Sequence, residues 1–149
     1  MLKKSVVLLA LLALLLCFAS LSAFAENNIV ATVTVQGGEY REFTSIEKGW
    51  VYALEQSLEK PTTIKLCADW IAPDGVFYCT NDKGNEYGTD AGGLYLYDDF
   101  DITIDLNGHK IDRNLKEPTY MGLVFYMEDT NAKLTIKDSA GGGEITGGN

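Results

Sequence analysis

The sequence contains few of the side chains that enzymes most often use for nucleophilic, acid–base or metal chemistry. It has one histidine and three cysteines in 149 residues. A structural zinc site needs about four cysteine or histidine ligands, and His109 has no such residue close to it in sequence. Residue types and spacing therefore predict no catalytic residues and no cofactor.

Lysine and arginine are also scarce. The chain has 12 of them against 21 aspartates and glutamates, which gives a formal net charge of -9. Nucleic acids and anionic lipids are bound by clustered lysines and arginines, so the charge argues against both as partners. An acidic surface instead keeps a secreted protein soluble or attracts divalent cations.

The first 25 residues have the three parts of a secretory signal peptide. Lys3 and Lys4 precede an apolar run from Val6 to Phe18, and small residues close the segment at Ala25. This order predicts a cleaved signal, and hence a protein that is secreted to the extracellular space or held at the cell surface. The alternative is a membrane anchor, which would need about 20 apolar residues and flanks without a cleavage pattern. After cleavage we expect no attachment to the membrane.

Export to an oxidising compartment determines the chemistry that we expect of the cysteines. Cys17 lies inside the predicted signal and follows leucines rather than small residues, so lipid attachment there is not expected. The mature chain keeps Cys67 and Cys79. In an oxidising compartment two cysteines separated by a short loop predict a disulfide, which is worth about 3 kcal/mol in the chain-entropy model. A metal site with further ligands and two free thiols are the alternatives.

The mature chain has the size of one domain and divides into three parts. Residues 26–71 contain an alternating strand pattern and an amphipathic helix pattern. Residues 72–92 are polar and glycine-rich, which predicts a loop. Residues 93–149 return to short strand patterns separated by turns.

The predicted helix has a clear beginning. Thr44 is placed to cap its free amides, and Glu47 is placed to reach back and complete a capping box. The apolar side chains from Ile46 to Leu58 recur at helical spacing. Trp50 belongs to this apolar face, so we expect it in the core rather than on a sugar ring.

The last part of the chain repeats itself. The segment Gly93 to Asp99 is similar to Gly122 to Asp129, and Ile102 to Asp105 is similar to Leu134 to Lys137. A repeat of about thirty residues made of short strands predicts a solenoid, because each unit must stack on its neighbours to bury its apolar face.

These residues resemble a known family. The phrases at 102–111, 134–139 and 141–148 are similar to the opening coils of right-handed parallel β-helix proteins of the pectin-lyase-like type, and the helix pattern at 44–58 is similar to the helix that caps such coils. The resemblance implies a mostly β fold, with residues 93–149 as the first rungs of the β-helix and an amphipathic helix at its N-terminal end. Members of this family usually continue beyond the point that corresponds to Asn149. We therefore expect a piece of a longer chain or, alternatively, a unit that pairs with another copy.

The resemblance also directs attention to acidic residues, because polysaccharide lyases and hydrolases of this fold place carboxylates on one sheet face to bind Ca²⁺ or to act as acid and base. Asp98, Asp99, Asp101 and Asp105 form such a group in sequence, and the first three are the candidate Ca²⁺ ligands. Aspartate is also common at turns for its hydrogen bonds alone. The cationic base of such lyases is not evident, although Lys110 and Arg113 follow nearby.

Aromatic residues are numerous in the repeated part. Exposed rings could stack on sugars, but strand alternation would bury about half of them. The residues in question are Tyr95, Tyr97, Tyr120, Phe125 and Tyr126.

The export signal, the repeat and the missing catalytic set together lead to one functional hypothesis. We expect an adhesin-like binding or scaffold module that recognises extracellular glycans or proteins. The alternative is the N-terminal part of a polysaccharide lyase or glycoside hydrolase whose catalytic residues lie beyond Asn149.

Overall fold

A computed structural model describes residues 28–75, 77–81, 83–84, 86–87, 93–118, 122–128 and 131–148. The predicted signal at residues 1–25, Cys17 and Tyr120 lie outside these residues. In the part of the chain that is described, no helix has the length and apolar character needed to span a membrane.

The described residues form short strands and a single helix. In chain order these are β1 (Ala31–Val35), β2 (Tyr40–Phe43), α1 (Ile46–Ser57), β3 (Thr62–Leu66), β4 (Trp70–Ile71), β5 (Cys79–Thr80), β6 (Glu86–Tyr87), β7 (Leu94–Leu96), β8 (Asp101–Asp105), β9 (Lys110–Asp112), β10 (Phe125–Met127), β11 (Lys133–Lys137) and β12 (Glu144–Thr146). They are arranged in one five-stranded sheet of order β11-β8-β3-β1-β2, a three-stranded sheet of order β12-β9-β4, and the two-stranded sheets β10-β7 and β5-β6.

The predicted right-handed parallel β-helix is wrong. The described residues form a mixed-sheet domain of several small sheets and one helix, and the largest of these sheets combines antiparallel with parallel pairs. The physical reason lies at Gly37 and Gly38, whose φ angles of 106° and 108° turn the chain back on itself. Most L-residues avoid such angles, whereas glycine adopts them easily. As a result β2 pairs antiparallel with β1, and helix α1 then returns the chain so that β3 pairs antiparallel with the other side of β1.

The two similar segments of the repeated part lie side by side in parallel. Three pairs of strands join them, β7 with β10, β8 with β11 and β9 with β12. Equivalent residues face each other, as Ile104 faces Ile136 and Ile111 faces Ile145. The first segment also pairs in parallel with β3 and β4, which places Ile64 opposite Ile104.

This register builds the core from rows of aliphatic side chains. Val33, Ile64 and Ile104 occupy one row across β1, β3 and β8, and all three are fully buried. The row ends on β11 at Ile136, which is 45% exposed. Strand alternation sends the intervening residues outward, so Thr63, Thr103 and Thr135 form a parallel row on the other face of the sheet.

Helix α1 covers the inner face of this sheet, in contact with β1, β3 and β8. The N-cap is Ser45 rather than the predicted Thr44, because the Ser45 Oγ accepts a hydrogen bond from the Lys48 N–H at 3.3 Å. Glu47 therefore does not complete a capping box. Its Oε1 instead accepts the indole N–H of Trp70 at 3.1 Å.

The expectation that Trp50 lies in the core is confirmed. Its side chain is 1% exposed, and its Nε1 donates to the backbone oxygen of Tyr95 at 3.1 Å. The helix ends at Ser57, one residue before the predicted apolar position Leu58, which is 58% exposed.

Asp105 fixes the turn that follows β8. It is 4% exposed, and its Oδ1 accepts the backbone N–H groups of Asn107 at 3.1 Å and Ser139 at 2.9 Å, so one carboxylate joins the two repeated segments. Asn107 extends the connection, since its Nδ2 donates to the Leu66 oxygen at 3.0 Å. Burial raises the pKa of Asp105, but hydrogen bonds from Ser139 and Asn107 and the ammonium of Lys137 outweigh it, and the net pKa lies below the ordinary value.

Replacing Asp105 with asparagine is expected to lower the free energy of unfolding by about 1–2 kcal/mol, because the two amides lose a charged acceptor. The pKa of Asp105 is lower in the folded chain than in the unfolded chain, so its contribution is present above the unfolded pKa near 4 and is lost as the pH falls through the folded pKa. Urea unfolding at neutral pH and at about pH 3 should therefore show a smaller difference between Asp105→Asn and the parent at the lower pH.

The matched control is Asp101→Asn, on the same strand. Asp101 pairs with Lys133, which is mostly exposed, and such surface pairs are worth about 0–1 kcal/mol. Equal losses of stability in the two variants would contradict the role given to Asp105.

Arg113 hydrogen-bonds to the beginning of residues 72–92, the segment predicted as a loop. Its side chain is 1% exposed, its Nη1 donates to the Pro73 oxygen at 3.0 Å, and its Nη2 donates to the Gly75 oxygen. The guanidinium carbon lies 4.9 Å from the centre of the Phe77 ring, a cation–π distance. Its Nε has no hydrogen-bond partner among the described residues, so its burial is only partly compensated.

We expect Arg113→Met to lower the free energy of unfolding by about 2–3 kcal/mol, because the carbonyl oxygens of Pro73 and Gly75 lose their charged donors. Limited proteolysis should cut faster between residues 73 and 77 in this variant. Lys116→Met, a change at a nearby exposed residue, serves as the control and should stay within about 0.5 kcal/mol of the parent. If residues 73–77 are cut no faster in Arg113→Met than in the parent, the Arg113 hydrogen bonds do not hold this segment in place.

Candidate functional site

A surface cleft lies between the β2 strand, the first three turns of α1 and the residues that follow β5. Its volume is about 340 Å³, within the range of small-ligand sites. The lining residues come from three separate parts of the chain: Arg41, Glu42, Phe43, Thr44, Lys48, Val51, Tyr52, Glu55, Thr80 and Asn81. We call this feature the α1–β2 cleft.

Planar side chains form one wall of the α1–β2 cleft. The rings of Phe43 and Tyr52 lie 5.4 Å apart, and the guanidinium carbon of Arg41 lies 4.5 Å from the centre of the Tyr52 ring. The alternation of β2 and the helical spacing of α1 bring these three residues together, since Tyr52 lies on the helix face toward the hairpin. Tyr52 is only 8% exposed and the Arg41 guanidinium lies over its ring, so the exposed Arg41 provides the flat surface and the hydrogen-bond donors on the solvent side.

The phenol of Tyr52 is held as a hydrogen-bond donor. Its oxygen donates to the Glu39 Oε2 at 3.2 Å. Burial raises the pKa of Tyr52 most, the Arg41 guanidinium lowers it by less, and the Glu39 and Glu55 carboxylates raise it again, so the net pKa lies above its ordinary value. The hydroxyl is therefore protonated at neutral pH, and the ring orientation is fixed before any ligand arrives.

The rest of the lining is polar. The Asn81 Nδ2 donates to the Glu55 Oε1 at 3.0 Å, which joins α1 to the residue after β5. Lys48 adds an exposed cation in the first turn of the helix. The described lining contains carboxylates, cations, hydroxyls and an amide, but neither cysteine nor histidine. This chemistry is suited to binding a polar molecule with one flat apolar face.

The predicted Ca²⁺ ligands are not brought together. Asp98 and Asp99 are exposed in a turn, where Asp98 has a φ of 52°, and Asp101 begins β8 with its Oδ2 3.1 Å from the Lys133 Nζ. Across the described residues, no group of three or more histidine, cysteine, aspartate or glutamate side chains could hold a metal ion. The turn explanation that the sequence also allowed is the one that the structure supports.

The predicted disulfide between Cys67 and Cys79 is absent, and both are free thiols. The physical reason is where their side chains lie. Cys67 is exposed just after β3, whereas Cys79 is 1% exposed on β5, which packs against α1. Burial raises the pKa of the Cys79 thiol to about 12, and the nearby Glu47 adds to this.

The aromatic residues of the repeated part are divided between two faces. Phe125 faces Trp50 with ring centres 6.3 Å apart. On the outer face, the Tyr95 ring stacks on Tyr97 at 5.1 Å and on Tyr126 at 5.4 Å, and the Tyr95 hydroxyl donates to Glu128. These outer tyrosines pack mainly on one another, so they are a weaker sugar platform than the sequence suggests.

No local motif in the sequence marks the α1–β2 cleft. Arg41 and Tyr52 belong to no motif, and the one signal that points to the cleft is the Gly37–Gly38 pair after the first strand pattern. A hairpin interpretation of these glycines would have placed β2 beside β1 and hence next to the helix.

Comparisons of the chain with known protein families, with curated proteins and with solved structures give no match. In the α1–β2 cleft, the planar pair of Arg41 and Tyr52 lies beside the polar pair of Glu55 and Asn81. Such a site holds a ligand through contacts on one flat face and hydrogen bonds at its edge.

The two thiols should differ sharply in reactivity. We expect iodoacetamide to label Cys67 in the folded protein without prior reduction, whereas Cys79 should be labelled only in denaturant, because a buried thiol with a raised pKa forms little thiolate. Peptide mass mapping assigns each label to its residue. Protection of Cys67 that disappears on reduction would show that the two residues are bonded after all.

Proposed function

We propose that this chain is an exported module that binds extracellular glycans, and that the α1–β2 cleft is the binding site. The observation that carries the proposal is the pairing of the flat Arg41 and Tyr52 wall with the polar pair of Glu55 and Asn81 in one open cleft. Sugar rings present an apolar face and an edge of hydroxyl groups, and a site that combines planar side chains with charged and amide groups complements both.

The charges of the cleft favour an uncharged oligosaccharide. Two cations, Arg41 and Lys48, and two anions, Glu42 and Glu55, line the same space. A strongly anionic or cationic ligand would meet like charge as well as opposite charge, whereas hydroxyl groups can donate to the carboxylates and accept from the cations. The volume of about 340 Å³ accommodates one or two sugar rings at a time.

The predicted signal peptide supports export, which would bring the cleft into contact with glycans outside the cell. Its order of cations, apolar run and small residues is the observation behind this part of the proposal. An acidic chain with few cations is also unsuited to nucleic acid or anionic lipid.

A glycan array of neutral oligosaccharides, followed by calorimetry on the best ligand, tests the proposal. Arg41→Ala removes part of the planar wall and Asn81→Ala removes an amide that can contact hydroxyls, and each is expected to weaken binding about tenfold. Lys65→Gln, an exposed cation on β3 outside the cleft lining, is the control and should bind with unchanged affinity.

Two results would contradict this function. One is the absence of any glycan signal above that of the heat-unfolded protein, and the other is unchanged affinity in both cleft variants. Release of shorter sugars from the bound oligosaccharide would instead favour the polysaccharide-degrading alternative.

A further inference from the structure

The second repeated segment has a free edge in all three of its strands. β10, β11 and β12 each pair on one side with the first segment, and among the described residues none of them pairs on the other side. Because all three pairs are parallel and in register, the three free edges face the same direction. β11 is the longest of them, with five residues, and it closes the largest sheet.

Apolar side chains along this edge lack the cover that their counterparts have. Ile104 and Leu96 are 0% and 1% exposed, whereas the residues opposite them, Ile136 and Met127, are 45% and 44% exposed. Ile104 lies on β8 between two strands, whereas Ile136 lies on β11 with a strand on one side only. Leu96 and Met127 belong to a two-stranded sheet, and β7 contacts helix α1 as well. A further strand beside β11 would cover Ile136 and remove its exposed apolar surface from water.

Charges along the same edge alternate from strand to strand. Lys65 on β3 lies opposite Asp105 on β8, which lies opposite Lys137 on β11. The Lys137 Nζ is 3.5 Å from the Asp105 carboxylate, and Lys133 makes the equivalent pair with Asp101 at 3.1 Å. Cross-strand neighbours of opposite charge stabilise a sheet and like charges destabilise it, so the next strand in this order would carry acidic residues.

The same rule disfavours a second copy of this chain at the edge. Two β11 strands in antiparallel pairing would place Lys133 of each copy opposite Lys137 of the other, and parallel pairing would place each lysine opposite itself. Lysines on an exposed edge strand are a common device against such self-pairing.

We propose that the free edge of β11 binds an extended peptide of a protein partner, which lies parallel to β11 with acidic residues opposite Lys133 and Lys137 and aliphatic residues opposite Leu134 and Ile136. The main chain of the peptide adds a strand to the five-stranded sheet, and its side chains continue the charge and aliphatic rows. This surface is separate from the α1–β2 cleft, because β11 and β2 are the two opposite edges of that sheet.

The probe is a fluorescent peptide that copies residues 100–107 of this chain, since that segment already pairs with β11 in parallel. A second peptide has lysine at the two positions that correspond to Asp101 and Asp105. Fluorescence anisotropy with the unaltered protein should show binding about tenfold tighter for the acidic peptide. This comparison needs no protein variant, so it does not depend on whether a variant folds.

Variants then locate the site. Lys133→Gln combined with Lys137→Gln should weaken binding of the acidic peptide about fivefold, whereas Lys65→Gln, in the same charge row but on an inner strand, should have no effect. Arg41→Ala should also bind the peptide normally, so failure of glycan binding and failure of peptide binding are separate results.

Equal affinity for the two peptides, or no binding of the acidic peptide in the millimolar range, would overturn the proposal. Concentration-dependent self-association that the double lysine variant abolishes would overturn it as well, because it would assign the edge to a second copy of the chain.

Discussion

Aliphatic side chains stacked in register across neighbouring strands are the interaction on which the rest of this domain depends. Ile104 is fully buried because Ile64 flanks it on one side and Ile136 on the other. Burying such a side chain is worth about 1.5–3 kcal/mol, but only while the strands hold this register, since a slip of one residue would turn the row outward. The Asp105 carboxylate protects the register by joining the turns of both repeated segments.

The local pattern of the sequence accounts for the strands and the helix but not for how the strands pair. β8 and β11 alternate aliphatic residues with threonine, and α1 has a helical apolar stripe, so both kinds of element could be predicted. The pairing of β1 with β3, by contrast, brings together residues that are distant in sequence. The resemblance to parallel β-helix proteins extended the parallel order to the whole chain, whereas the turn at Gly37 and Gly38 introduces antiparallel pairs.

The candidate site was harder to predict than the fold, for a related reason. Its walls come from β2, α1 and the residues after β5, and no one of these segments contains a recognisable motif. The cysteines show the same difficulty, because the compartment favours a disulfide while the packing of Cys79 against α1 decides where its side chain lies. Asp98 and Asp99 lie in a turn and Asp101 forms a surface ion pair, and both are common roles for aspartate.

The lysines of β11 meet two requirements that usually conflict: the edge strand must avoid unselective pairing and must still accept one kind of strand. An edge strand with half-exposed aliphatic side chains attracts other strands without discrimination, and charge is the simplest defence. On β11 the charge is positive, and it is matched by the neighbouring strand β8, because Lys133 and Lys137 pair with acidic residues there. The same two side chains therefore repel copies of β11 and accept an acidic strand. Selectivity arises from the register of the sheet itself, since each lysine is held opposite an aspartate of β8.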